Sequence, residues 1–234
     1  MATTVSFWHR LFDLIAPRGC PVCGSRLGLG EEVVCSSCNL RLPRTGHAVR
    51  AYDNEMAKSF WHRIPIERAA ALFYYQPKSQ VAEMIYRLKY HGHYETGSLM
   101  GEMAAREFQE AGFFEGIDLI LPVPLARKRQ RQRGYNQSEE IARGVGRATG
   151  IPVRDDVVVR TAYYGSQIDK DRRARLDNVE NLFELKDTAA VSGKHILLVD
   201  DIVTSGATCI ACGSELAKAG NVRISVFALG FTKT

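Results

Sequence analysis

Hydrophobic residues follow two different spacings along this chain, and the alternation of the two predicts its fold class. Apolar residues three or four apart indicate helices, whereas short continuous apolar runs indicate buried strands. Because the two kinds of segment alternate, we expect an α/β fold in which a mostly parallel sheet is flanked by helices. A polar connection over residues 46–68 precedes the first strand. The predicted strands cover residues 69–75, 118–123, 157–160, 196–199 and 224–229, and the predicted helices cover 81–92, 96–111, 137–149 and 205–219.

Composition narrows the class of protein. With 45% hydrophobic residues, the 234-residue chain can bury one core and a small additional module. No apolar run approaches the roughly 20 residues of a membrane helix. His9, Arg10 and Asp13 interrupt the apolar stretch at residues 1–16, which therefore predicts a short amphipathic helix rather than a secretory signal. We expect a soluble, cytoplasmic protein with no membrane insertion.

Two adjacent acids follow the strand predicted at 196–199. Asp200 and Asp201 precede a loop of small and hydroxyl residues at 204–208, which opens the helix predicted at 205–219. Free backbone N–H groups and the helix dipole make such a turn an anion site. The loop lacks the lysine of a P-loop and the glycines of a dinucleotide fingerprint. The alternative is an ordinary strand-to-helix turn whose acids only begin the helix.

Four cysteines near the N-terminus form two Cys-x-x-Cys pairs. Cys20 with Cys23 and Cys35 with Cys38 are separated by eleven residues, a pattern typical of a structural zinc ribbon. Redox disulfides are the alternative, and they are less common where thiols stay reduced. We expect residues 1–48 to form an N-terminal helix and zinc ribbon, and residues 49–234 a second domain.

Two further cysteines, Cys209 and Cys212, lie at helical spacing among apolar and small residues. We interpret them as packing residues of the helix at 205–219. We assign no role to His47.

The positive charge is concentrated in one segment. Residues 127–147 contain seven cations and two acids, a balance of +5 that equals the net charge of the whole chain. Ligands of parallel sheets lie beyond the carboxyl ends of the strands, which brings together the loops after 123 and 160 and the loop 204–208. The cations can neutralise phosphates of a small ligand or contact a nucleic-acid backbone. A solvated helix face is the third interpretation.

The run at 196–208 resembles the phosphoribosyl-diphosphate (PRPP) motif of type I phosphoribosyltransferases, and the whole chain resembles the ComF family, the phosphoribosyltransferase-like competence proteins. Tyr135 and Ser205 stand where the family often has phenylalanine and threonine. The motifs that carry the resemblance are the cysteine ribbon, Leu88-Lys-Tyr-His-Gly92, Pro122-Val-Pro-Leu125, Arg133-Gly-Tyr-Asn-Gln137, Arg160 with Gln167, Arg175 with Asn178, and the run 196–208.

The resemblance implies a type I phosphoribosyltransferase fold and a set of ligand contacts. It assigns Asp200 and Asp201 to the ribose hydroxyls of PRPP, and it implies Mg²⁺ as the companion ion. The residues that it implies for the phosphate are Thr204, Ser205, Gly206, Ala207 and Thr208. From the concentration of charge and the positions of the loops, we expect pyrophosphate or nucleic-acid contacts at Arg127, Lys128, Arg133, Asn136, Gln137, Arg160, Gln167 and Arg175.

The same resemblance implies a function linked to DNA uptake. One hypothesis is an enzyme that transfers phosphoribose to an unidentified acceptor and releases pyrophosphate; its catalytic residues are unknown. The other is a non-catalytic PRPP sensor or single-stranded-DNA-binding component that works with competence proteins. We do not expect glutamine-dependent amination by this chain alone, because the ribbon occupies the end where a glutaminase domain would carry its cysteine.

Overall fold

A parallel four-stranded sheet forms the centre of the protein. The computed structural model describes residues 18–90, 94–161 and 182–233. The strand order is β1–β6–β5–β2, and each neighbouring pair is parallel. All four carboxyl ends therefore lie along one edge. The strands are β1 (Ile66–Tyr74), β2 (Leu119–Pro122), β5 (His195–Val203) and β6 (Arg223–Phe231).

Helices cover both faces of this sheet because the central strands are apolar on both sides. Leu197 and Val199 belong to one core cluster, and Ile196 and Leu198 to the other, as the alternation of side chains along a strand requires. The helices are α1 (Ser36–Arg41), α2 (Glu55–Lys58), α3 (Gln80–Tyr90), α4 (Tyr94–Gln109), α5 (Arg127–Arg133), α6 (Gln137–Thr149) and α7 (Ala207–Ala217), with a 3₁₀ turn at His47–Arg50. The predicted α/β class with a mostly parallel sheet is confirmed.

Close helix packing positions α6 against α4. A Cβ atom added at Gly144 would lie 1.9 Å from the Ser98 carbonyl oxygen, and one at Gly101 would lie 2.2 Å from the Ile141 carbonyl oxygen. Only glycine allows the two backbones to approach this closely. The contact fixes where the N-terminus of α6 meets the carboxyl edge of the sheet.

One predicted strand lies outside the central sheet. Residues Val158–Arg160 form β3, which pairs antiparallel with β4 (Phe183–Leu185) in a separate two-stranded sheet. Placing 157–160 in the main sheet was therefore wrong. A short apolar run indicates a strand, but its partner depends on the tertiary fold.

Three of the described helices, α1, α2 and α5, were absent from the sequence prediction. The stretch at 46–68 contains α2, where Asn54 accepts a hydrogen bond from the Ala57 N–H and where Met56 and Phe60 are fully buried. The segment before residue 137 contains α5, which buries none of its residues. Arginine and glutamine favour helices, but a helix with no buried face leaves no hydrophobic period to detect.

The cysteine-rich segment packs on the sheet's flanking helices rather than standing apart. Cys20, Cys38 and Leu42 belong to the same core cluster as Ala104 and Phe108 of α4. Arg106 of α4 also pairs with Glu32 at 3.0 Å. Within the part of the chain that is described, no helix has the length and apolarity needed to cross a bilayer.

Candidate functional site

The carboxyl ends of β2 and β5 and the N-terminus of α6 enclose a cavity of about 160 Å³. It contains the two acids of the run 196–208 together with three cations from two other segments, α5 and β3. Its lining residues include Val123, Pro124, Leu125, Arg129, Arg133, Gln137, Ser138, Arg160, Asp200, Asp201, Ile202 and Thr208. The convergence of these segments agrees with the location of ligand sites in parallel sheets.

Asp200 is held in place by hydrogen bonds to one of its oxygens. Its Oδ1 atom accepts from the Ser138 hydroxyl at 2.9 Å and from the Asp201 N–H at 2.8 Å. The Cys209 thiol lies 3.9 Å from the other oxygen, Oδ2. An ionised carboxylate only accepts hydrogen bonds, which suits a ligand that brings hydroxyl groups.

The start of α6 is tied to the end of β2 through a single side chain. Asn136 is buried at the N-cap of α6, where its Oδ1 accepts from the Ser138 N–H at 3.2 Å. Its Nδ2 donates to the Val123 carbonyl oxygen at 3.1 Å. Asn136 therefore has a positioning role, because it places Ser138 opposite Asp200.

The loop after the acids ends in a left-handed glycine. Strand β5 continues through both acids to Val203, and α7 begins at Ala207 rather than at the predicted residue 205. Gly206 has φ 74°, and a Cβ atom there would lie 3.0 Å from a ring carbon of Phe60. Among the described residues no side chain caps the first turn of α7, so its N–H groups are available to an anion.

The guanidinium groups of Arg129, Arg133 and Arg160 line the cavity together with the two acids. Burial lowers the pKa of Arg160, and the nearby charge of Arg129 lowers it further, whereas Asp200 opposes both effects. Arg160 also lies over the Phe183 ring, 5.4 Å from its centroid. A group of cations that repel one another next to a carboxylate favours an anionic ligand over an empty site.

A buried amide adds an unused hydrogen-bond donor to the cavity. Gln137 is 3% exposed, and its Oε1 accepts from Arg133 Nη1 at 2.7 Å. The Nε2 atom of Gln137 has no hydrogen-bond partner among the described residues. A buried donor without a partner destabilises the protein, and a ligand oxygen in the cavity would satisfy it.

The structure distributes the predicted contacts unevenly. Arg133, Gln137, Arg160 and Thr208 line the cavity with the two acids, whereas Arg127 and Asn136 line an adjoining one that also includes Arg160. Lys128 is exposed on α5 and lines neither of these two cavities. Gln167 and Arg175 lie outside the described residues, as do Gly92 and Asn178.

Sequence reasoning missed Ser138. It follows the predicted Asn136 and Gln137 at a helix start, but its contact with Asp200 crosses 62 residues of sequence. A serine at a helix N-terminus ordinarily indicates a cap. No local signal therefore separated a ligand-site serine from a capping one.

The four N-terminal cysteines form a cluster that could hold a metal ion. The Sγ atoms of Cys20, Cys23, Cys35 and Cys38 all lie within 4.8 Å of one another. A tetrahedral zinc–thiolate site with Zn–S near 2.3 Å has sulfur separations of about 3.8 Å, and Cys23 and Cys35 are 3.7 Å apart. The set therefore fits a zinc ion.

The surroundings of the cysteines shift the pKa values of two thiols in opposite directions. Donors from Ser25 lower the pKa of the Cys23 thiol to about 6. Burial raises the pKa of Cys38 to about 12, so a metal ion would have to displace that proton. His47 is fully buried elsewhere, where its Nδ1 accepts from the Ala71 N–H at 3.3 Å.

Cys209 and Cys212 are buried in the cluster beneath α7, as expected for packing residues. Burial raises the pKa of both thiols. Both therefore remain neutral and unreactive at neutral pH.

These features define an α/β protein with a central parallel sheet and an N-terminal four-cysteine cluster. No family model matches the chain. DNA utilization protein YhgH of Escherichia coli (strain K12) is 26% identical over 226 residues, which covers 92% of this chain and 98% of that protein. Competence protein F of Haemophilus influenzae is 25% identical, covering 90% and 95%. Competence protein ComFC of Bacillus subtilis is 23% identical, covering 92% and 86%.

The chain is thus a homologue of YhgH, Competence protein F and ComFC, which confirms the resemblance to the ComF family. Among solved structures, a glutamine PRPP amidotransferase from B. subtilis matches with a TM-score of 0.42 and 22% identity. The match covers 61% of this chain and 30% of that enzyme.

Proposed function

We propose that this protein binds PRPP between Asp200, Asp201 and the start of α7, and that it transfers the phosphoribosyl group to an acceptor with release of pyrophosphate. The observation that carries the proposal is the placement of an oriented acid pair with three guanidinium groups around one cavity. That cavity shares Asp200, Ile202 and Thr208 with the pocket lined by the loop 204–208, at the uncapped N-terminus of α7. These groups complement a ligand that has hydroxyl donors and several phosphates.

Each part of PRPP would meet a different chemistry. Carboxylates accept hydrogen bonds only, so Asp200 and Asp201 suit the vicinal hydroxyls of ribose. The N–H groups and hydroxyls at 204–208 suit the 5-phosphate. Arg129, Arg133 and Arg160 would neutralise the pyrophosphate, since guanidinium groups bind phosphate oxygens with paired hydrogen bonds.

The transfer step needs little side-chain chemistry. A lone pair of the acceptor forms the bond to C1 of the ribose, the C1–O bond breaks, and pyrophosphate leaves with that electron pair. The proton lost by the acceptor passes to solvent. The arginines would stabilise the charge that develops on the leaving group.

Mg²⁺ fits the same site because carboxylate and phosphate oxygens are its usual ligands. Asp200 and Asp201 are the described carboxylates at the cavity that would hold it together with the substrate. When bound, the ion supplies further charge neutralisation to pyrophosphate.

Calorimetry with PRPP and Mg²⁺ tests this assignment. The wild-type protein should bind PRPP, and the Asp200→Asn/Asp201→Asn double variant should lose binding while its thermal unfolding remains cooperative. Asp53→Asn/Glu184→Gln is the matched control, because it removes two exposed acids at surface ion pairs instead. Unchanged affinity in the Asp200/Asp201 variant would exclude this site, and pyrophosphate release with candidate acceptors separates turnover from binding alone.

A second candidate function is single-stranded-DNA binding, in which the protein senses PRPP without turnover. It is favoured by α5, whose seven residues include five cations and none of which is buried. The names of the relatives, DNA utilization protein and competence proteins, are consistent with this role. Such binding would depend on salt through counterion release, and Arg127→Ala/Arg129→Ala/Arg131→Ala should weaken it in fluorescence anisotropy with labelled single strands.

The proposal also covers the organisation of the chain. Residues 1–48 would form the N-terminal helix and zinc ribbon, and residues 49–234 the phosphoribosyltransferase-like domain. We expect the protein to act in the cytoplasm, alongside proteins of DNA uptake.

A further inference from the structure

The three residues between α5 and α6 form a hinge, and one of them contacts a third helix. Gly134 ends α5 with φ 82°, and its N–H donates to the Gln130 carbonyl oxygen at 2.8 Å. Asn136 is the N-cap of α6. Tyr135 therefore stands between the two caps, at the point where the arginine-rich helix α5 joins α6.

The Tyr135 hydroxyl holds this hinge against α3. It donates a hydrogen bond to the Leu88 carbonyl oxygen across 47 residues of sequence, and burial raises the pKa of Tyr135, so the hydroxyl keeps the proton that it donates. Leu88 lies in the last turn of α3, where carbonyl oxygens have no partner within the helix. Its side chain is 1% exposed and shares a core cluster with Met84 and Ile85. The hinge is thus attached to a helix that is itself fixed in the core.

Helix α5 has little else to fix its direction. None of its seven residues is buried, and Ala126 at its start has no polar side chain with which to cap it. A helix this short is not stable by itself in water. Its direction therefore depends on the contacts at its carboxyl end, where Arg133 Nη1 donates to Gln137 Oε1 at 2.7 Å and where Tyr135 contacts α3.

Two guanidinium groups of the candidate site depend on this direction. Arg129 and Arg133 are four residues apart on one face of α5, and both line the cavity that contains the two acids. Arg129 lies about 6 Å farther along the helix axis, so a tilt of about 10° at the hinge would move it by about 1 Å. A displacement of that size misaligns the paired hydrogen bonds by which guanidinium groups bind phosphate oxygens.

Tyr135 is not among the residues that line this cavity or the adjoining one that includes Arg127. Any effect that it has on a ligand therefore passes through the arginines of α5.

We propose that Tyr135 is a positioning residue for pyrophosphate, because the hydrogen bond from its hydroxyl to Leu88 holds α5 with its two arginines toward the cavity. The inference rests on the proposed function, which assigns those arginines to the pyrophosphate of PRPP. Tyr135→Phe keeps the ring and its packing but releases the hinge from α3.

Calorimetry with two partial ligands in the presence of Mg²⁺ tests this role. Inorganic pyrophosphate would meet the arginines, whereas ribose 5-phosphate would meet the acids and the loop 204–208. Tyr135→Phe should weaken pyrophosphate binding by about three- to tenfold, the range expected for one hydrogen bond, and should leave the affinity for ribose 5-phosphate unchanged. A variant that loses affinity for both ligands in equal proportion, or for neither, would overturn the proposal.

Tyr52→Phe is the matched control. It removes another tyrosine hydroxyl, which accepts from Arg68 Nη1 at 3.3 Å near the amino end of β1, away from the carboxyl edge that holds the cavity. This variant should bind both ligands as the wild type does. If it weakens pyrophosphate binding as much as Tyr135→Phe does, the effect does not come from the hinge and the proposal fails.

Trypsin digestion tests the attachment of α5 without any ligand. Five of the seven residues of α5 are arginine or lysine, and cleavage after them requires local opening of the helix. Tyr135→Phe should be cut within residues 127–133 about three- to tenfold faster than the wild type, with the cleaved bonds assigned by mass spectrometry. Equal rates of cleavage in α5 would show that the hydroxyl does not hold the helix and would overturn the proposal.

The two proposals fail in different ways. A wild-type protein that binds neither ligand would refute the proposed function, and with it a role in pyrophosphate binding. A wild-type protein that binds both, together with a Tyr135→Phe variant that matches it for both, would refute only the role of Tyr135.

Discussion

The Ser138 hydroxyl donates a hydrogen bond to Asp200 Oδ1 at 2.9 Å across 62 residues of sequence. It joins the N-terminus of α6 to the acid at the end of β5, and it thereby links two motifs that the sequence shows only separately. The contact orients the carboxylate toward the cavity that the arginines share.

Removal of that hydroxyl should weaken ligand binding more than it weakens the fold. A hydrogen bond to a charged group contributes about 1.5–3 kcal/mol, so Ser138→Ala should lower PRPP affinity by at least about tenfold in calorimetry. Ser138→Thr keeps the hydroxyl and serves as the control. If alanine and threonine bind PRPP equally well, Ser138 does not position Asp200.

Substitution of Gly206 should destabilise the protein for two reasons. Alanine would adopt φ 74° at a cost of about 1–2 kcal/mol, and its Cβ would approach Phe60 to 3.0 Å. We expect Gly206→Ala to lower the free energy of unfolding in urea by about 2 kcal/mol. Gly30→Ala is the control, because nothing lies within 4 Å of its added Cβ; a similar loss there would contradict the explanation.

Removal of the metal should destabilise the whole protein and not only the N-terminal cysteine cluster. Cys20 and Cys38 share a core cluster with helix α4, so a chelator should lower the melting temperature of the whole protein. Metal analysis should give one zinc per chain, and acidification should release it because protons compete for the thiolates. Because bound zinc holds the thiolates deprotonated, the release should begin below about pH 6, the pKa of the metal-free Cys23 thiol.

A cysteine comparison tests the ligand set. Cys20→Ser should lose the zinc, whereas Cys212→Ala should keep it even though a buried packing group has been removed. Zinc retained at full stoichiometry by Cys20→Ser would remove Cys20 from the ligands.

Acidification should also destabilise the fold through His195. Burial lowers the pKa of His195. The Nδ1 atom lies 3.1 Å from the Gly116 carbonyl oxygen, which only accepts, so Nδ1 carries the proton of the neutral ring. The Nε2 atom then accepts a hydrogen bond from the Ser225 hydroxyl at 2.8 Å. Above about pH 6.5 the imidazole is neutral in both states. Below that pH the imidazole is protonated in the unfolded chain but still neutral in the folded protein. The free energy of unfolding therefore decreases as the pH falls from about 6.5 to the lower pKa of the folded state.

Urea unfolding at pH 7.5, 6.5 and 5.5 measures this effect. His195→Gln should show a smaller decrease between pH 6.5 and 5.5 than the wild type. Some decrease should remain, because burial also lowers the pKa of His47. Parallel pH profiles for the two proteins would assign the effect to other groups.

Local patterns predicted most of the regular structure. The helix predicted at 137–149 coincides with α6, and the central strands lie where apolar runs occur. The prediction missed α5, because a helix with no buried face has no hydrophobic period. It misplaced β3, because strand type is local whereas strand pairing is not.

The sequence by itself determined the α/β class, the clustered cysteines, and the acid pair ahead of a small-residue loop. Those features depend on residues that are close in the sequence. The periodicity of apolar side chains indicates helices and strands, and the spacing of the cysteines indicates a shared metal site. Only the tertiary structure decided that Ser138 meets Asp200, that Gln137 is buried with an unused donor, and that the Tyr135 hydroxyl contacts Leu88. These contacts join residues far apart in the chain, and they form only when the sheet order and the close packing of α4 on α6 bring the segments together.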